Sequence, residues 1–173
     1  MANRNTQGFG LIPAGTLGQT PATSGQGKYK IDAGYGTTIY QNGAVASSAG
    51  YIIDGQTTDA PILGVLNGIF YNAATSLKPT FANFYKQPIT PANSEDIDAF
   101  VFDNPQQQYV VATDDAVTQA GFLETYDMNT SAGSDTTGKS SATLDIGDTS
   151  ADAASFRLLR SCLLYTSPSP RDS

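Results

Sequence analysis

From residue 28 to residue 113 the chain keeps one rhythm: short runs of Val, Ile, Phe and Tyr, each ended within a few residues by Gly, Pro, Asn or Asp. Short apolar runs bounded by turn residues predict antiparallel β-strands. Residues 29–31 and 37–40 form the first runs, and Val45 restarts the pattern toward residues 51–53. Asn42 with Gly43, and Asp54 with Gly55, carry the signal of two-residue type I′ turns, whose central residues need a positive φ. Residues 62–71 alternate over the longest stretch and predict a central strand. Within it Gly64 and Gly68 mark places where the strand bends or another backbone comes close. Further runs follow at 81–85, 99–102 and 109–113, with Asn104 and Pro105 as a turn between the last two. The expected fold is all-β, a small antiparallel β-barrel or sandwich, because an open sheet of this size leaves strand edges exposed.

Outside this block the pattern weakens. Residues 114–129 show some helical character, broken at Gly121, and residues 122–126 read as strand again. Residues 129–155 are Ser, Thr, Asp and Gly with one weak strand at 142–146, and residues 155–159 look like the start of a last strand. Residues 1–27 hold six glycines and two prolines among Thr, Gln and Asn, too little apolar surface to offset the entropy of ordering. They are expected to form an extended arm whose anchors to a partner are Phe9, Leu11, Ile12 and Leu17. The body is then 28–161. Residues 162–173 depart abruptly in style and look like a translated sequencing adapter, which implies that the natural chain continues past Ser161.

Charge narrows the functions. The chain carries 16 Asp and Glu against 9 Lys and Arg, a net charge of −7, with no His and one Cys, Cys162, inside the adapter-like tail. Setting that tail aside removes one Arg and one Asp and leaves the balance unchanged. Apart from Lys28 with Lys30 and Arg157 with Arg160 the cations stand singly, so no basic stripe exists to neutralise phosphates, and nucleic acid is not an expected partner. No run approaches the ~20 apolar residues of a membrane span, so no membrane partner is expected either. Without His or a native Cys, zinc, thiol and Ser-His-Asp chemistry have no donors, and no cofactor or enzymatic activity is expected.

Two motifs remain. Gly133 to Ser140 matches G-x-x-x-x-G-K-[ST], with Gly133, Gly138, Lys139 and Ser140 at the defining positions. A phosphate loop needs a buried strand before it and a helix after it. Here polar residues precede it, a strand pattern follows, and Asp135 would oppose the phosphates, so the match reads as a surface loop. Carboxylates cluster at Glu95, Asp96 and Asp98, at Asp114 and Asp115, and at Asp145, Asp148 and Asp152. All are expected in polar loops; the last three are a weak calcium candidate without EF-hand spacing, and no metal is assigned. The 9 Tyr and 8 Phe mostly fall on strands, where they serve the core, with some Tyr as interface anchors.

Taken in order, the Gly- and Thr-rich arm, residues 37–45, 62–71, 102–105, 137–140 and Leu144 with Asp145 resemble small structural proteins of marine tailed bacteriophages, of the capsid-decoration or capsid-fibre type. The resemblance implies a β-barrel that stabilises an icosahedral shell, binds the major capsid protein or other virion proteins, and clusters as a homo-oligomer. It implies a virion location after synthesis in the host cytoplasm. A receptor- or glycan-binding tail or fibre component is the alternative, and an ATP-dependent enzyme would require Lys139 to act on phosphate.

Overall fold

The computed structural model describes residues 8–17, 25–55, 61–129, 133–147 and 156–160. Twelve strands follow in chain order: β1 (Ile12–Thr16), β2 (Gly27–Ile31), β3 (Ala44–Ser48), β4 (Tyr51–Asp54), β5 (Ile62–Asn72), β6 (Pro79–Ala82), β7 (Ile97–Phe102), β8 (Gln107–Val110), β9 (Thr125–Tyr126), β10 (Met128–Asn129), β11 (Thr143–Leu144) and β12 (Phe156–Arg157). The protein is all-β and its strand pairs are antiparallel.

Six of the strands form one sheet in the order β2-β7-β5-β3-β4, with β6 alongside the far half of β5. The alternation that predicts the strands also assigns their faces. On β7, Ile97, Ala99 and Val101 are fully buried while Asp98, Phe100 and Phe102 point the other way. The inward set meets Ile31, Val45, Ile52, Leu66 and Ile69 in the main core. Each fully buried aliphatic side chain there contributes roughly 1.5–3 kcal/mol. Register shifts at Val45/Ala46 and Leu66/Gly68 curl the sheet. Edge strands β2 and β4 thereby approach one another. The Tyr35 hydroxyl, just after β2, accepts the Asp54 amide at 2.7 Å, tying the two edges at that level. Among the described residues the sheet does not close into a barrel, and the layers pack as in a sandwich.

Among the described residues the second layer covers one end of the sheet's back. There Ala44 and Val65 meet Leu11, Tyr109, Val111, Met128 and Phe156. Leu11 is 1% exposed, so residues 8–17, expected as part of a separate arm, are built into the fold. The Leu11 amide donates to Asn42 O and the Gly10 amide to Ala142 O, after which β1 pairs with β8. Gly8 and Gly10 make this fit possible: a Cβ on either would collide with the backbone oxygen of Ser141 or Asn42, and Gly10 has a φ of +73°. Neighbours as far apart in sequence as Asn42 and Phe156 supply what the segment's own composition lacks.

Three local expectations change. The two-residue turn with both φ angles positive lies at Ala49 (50°) and Gly50 (87°) between β3 and β4, whereas Gly43 has no positive φ. Residues 37–40 supply a single bridge, Ile39 to Tyr85, in place of a strand. The helical character at 114–129 reduces to one 3-10 turn at Gln119–Gly121. The central strand stands as read: Gly64 lies against the backbone oxygen of Phe102, which leaves no room for a side chain.

Candidate functional site

The part of the sheet's back that the second layer leaves open forms a continuous outward face. Register builds it row by row, since residues directly opposite in a ladder share a face. Lys30 faces Asp98, Asp98 faces Phe70, and Phe70 faces Phe81, one row across β2, β7, β5 and β6. In the next row Lys28 faces Phe100 and Phe100 faces Gly68. The rings of Phe81 and Phe100 approach to 6.1 Å between centroids, and Phe81 remains 64% exposed. Phe70 and Phe100 are half-buried.

Charge edges this aromatic strip. Asp98 Oδ2 and Oδ1 lie 2.7 Å and 2.6 Å from the ammonium groups of Lys28 and Lys30. Burial works to raise the Asp98 carboxyl, but the hydrogen bonds from Lys28 and Lys30 outweigh it and hold the group below the usual carboxylate range. The bond to Asp98 in turn raises Lys30. Beyond Phe70 the face opens into a cleft of about 280 Å³ between Phe70, Tyr71 and Asn72 on one side and Glu95, Asp96 and Asp98 on the other. The Tyr51 hydroxyl donates to Asp96 at 3.2 Å, while Glu95 is exposed. A separate shallow cavity of about 240 Å³ lies by Tyr35, Tyr85, Gln87 and Pro88. Both fall short of the ~300–1,000 Å³ of small-molecule pockets. What the outward face can do is stack, cover apolar surface and pair ions.

The loop that matches the phosphate-loop pattern is sewn into the body. The amides of Ser134 and Gly138 donate to Lys139 O and Ser134 O, and that of Ser140 to Gln41 O. Thr137 and Lys139 amides turn to the hydroxyls of Ser134 and Thr137 at 3.4 Å each. Asp135 takes a 2.7 Å hydrogen bond from Tyr40 and lies 3.2 Å from the Lys86 ammonium. Tyr40 in turn stacks on Phe84. Among the described residues no helix follows Ser140, and the amides of Ser134, Thr137, Gly138, Lys139 and Ser140 are already engaged within the protein. Lys139 stands exposed on the surface.

The other sequence candidates scatter. Of the proposed arm anchors, Leu11 is core, Phe9 is half-buried, and Ile12 and Leu17 are exposed. Ile12 lies opposite the exposed Val110 on the β1–β8 ribbon. Asp98, expected in a loop, sits within β7. Asp145 accepts the Gly147 amide at 2.9 Å, and Asp148 and Asp152 lie outside the described residues, as do residues 161–173. Among the described residues no three His, Cys, Asp or Glu side chains group to hold a metal. Strand position, by which phenylalanines mostly serve the core, does not single out Phe70, Phe81 and Phe100. The signal that singles them out is parity: along β7 the residues of Phe100's parity include Asp98, which marks that side as solvent-facing.

No family model, no curated protein and no solved structure matches this chain.

Proposed function

We propose that this protein is a non-catalytic structural module of a virion that docks on the capsid shell through the outward face of its six-stranded sheet. The observation that carries the reading is the patch of Phe70, Phe81 and Phe100, from two adjacent rows, on a part of the sheet that the second layer leaves uncovered among the described residues. Aromatic rings held by a ladder lose little entropy when a partner covers them, which is why such residues dominate binding energy at interfaces. The phage-structural texture of the sequence supplies the partner, a major capsid protein or another virion protein. Co-sedimentation of the full chain with assembled shells tests it: wild type pellets with the shells and Phe81→Ser stays largely in the supernatant. Wild type remaining in solution, or selective binding on a glycan array, overturns shell docking in favour of a receptor-binding role.

A further inference from the structure

Resting on that docking reading, we infer that the partner presents a basic side chain, arginine or lysine with an apolar neighbour, and that the cleft beside Phe70 receives it. The cleft's charged lining is three carboxylates, Glu95, Asp96 and Asp98, against one ammonium, Lys30. That ammonium lies 2.6 Å from Asp98. Asp98 is further paired with Lys28 at 2.7 Å, so the three carboxylates meet two ammonium groups and one negative charge is left over. Glu95 and Asp96 lie within the field of the Lys30 ammonium, Asp96 also takes the Tyr51 hydroxyl, and the two carry the remaining negative charge. An incoming cation meets that surplus.

The walls suit the same occupant. Phe70 and Tyr71 line the cleft together with the carboxylates. A guanidinium is planar, weakly hydrated and attracted to ring faces, and its fork of N–H donors matches a carboxylate. The aliphatic stem of such a side chain, or an apolar residue beside it, would lie toward Phe81 and Phe100, whose rings continue the strip along the sheet. A neutral or acidic segment would leave Glu95 and Asp96 facing apolar or like-charged groups, which selects against it.

The full-length protein, labelled with ¹⁵N, is titrated with acetyl-Leu-Arg-Leu-amide and separately with acetyl-Leu-Glu-Leu-amide, following backbone amide shifts. The arginine peptide is expected to move the signals of residues 30, 70–72 and 95–98, with the response fading at high salt, and the glutamate peptide to leave them in place. Glu95→Lys, whose side chain is exposed and whose replacement leaves the Glu95 amide bond to Ala92 O intact, is expected to weaken the arginine peptide by at least about five-fold. Silence at those residues, equal response to both peptides, or unchanged binding by Glu95→Lys overturns the inference. Shell sedimentation separates the two levels. If wild type and Glu95→Lys pellet equally, the basic partner is wrong and docking stands; if wild type does not pellet, docking is wrong and the titration alone judges the cleft.

Discussion

The ring of Phe81 on β6 lies over Gly68 on β5, so that a Cβ on Gly68 would stand 2.8 Å from the ring's Cζ. The glycine leaves an opening in the ladder and the phenylalanine covers it, an aromatic rescue that also holds Phe81 toward Phe100. Gly68→Ala is expected to displace the ring and cost about 1–3 kcal/mol, read from urea denaturation. Phe81→Ser, by contrast, should cost less stability than it costs in shell binding, because the ring is mostly exposed in the free protein.

The N-terminal segment is expected to be part of the stability of the body. Leu11→Ala removes a side chain fully buried between Ala44 and Val65 and should cost about 2–5 kcal/mol. Gly10→Ala combines a left-handed φ with a backbone collision at Asn42 and should destabilise by on the order of 1–3 kcal/mol. If both variants unfold at the wild-type urea midpoint, residues 8–17 are not docked in solution.

The turn at Ala49 and Gly50 can be improved. Ala49 holds a φ of 50°, which costs a residue with a Cβ more than it costs glycine. Ala49→Gly is expected to raise stability by roughly 0.5–1 kcal/mol, the strain relieved exceeding the entropy added to the unfolded chain. A lowered melting temperature contradicts this.

Acid should weaken the β2–β7 pairing. The folded-state value of Asp98 is depressed, so its contribution is complete above the ordinary carboxylate value of ~3.9 and is lost as pH falls through the lower folded value. Lys30 is raised, so its contribution is complete below ~10.4 and is lost as pH rises through its higher folded value. Urea midpoints of Asp98→Asn should therefore fall less steeply than wild type on the acid side, and also on the alkaline side. Parallel curves would place the stability of this pairing elsewhere.

The Gly133–Ser140 loop makes a further expectation specific. Five of its amides, from Ser134 and from Thr137 to Ser140, are engaged within the protein, and Asp135 is held by Tyr40 and Lys86. Calorimetric titration with ATP and magnesium should give no saturable heat, for wild type and Lys139→Ala alike. Micromolar binding abolished by Lys139→Ala would contradict the geometry.

What the chain reveals as a string is its local physics. Period-two alternation over 62–71 and the apolar run at 99–102 announce strands, and the polar flanks of Gly133 to Ser140 argue against a phosphate loop, because both depend on neighbours within a few residues. The arm looked separable for the same reason: residues 1–27 hold few large apolar side chains among Gly, Thr, Gln and Asn, and Leu11 acquires its core from Ala44, Val65, Tyr109 and Phe156, all distant in sequence. Tertiary structure alone decided which strand face stays open. Parity separates two faces but cannot say which part of one a second layer will cover, and it was the placement of Leu11, Tyr109, Met128 and Phe156 over Ala44 and Val65 that left Phe70, Phe81 and Phe100 facing outward.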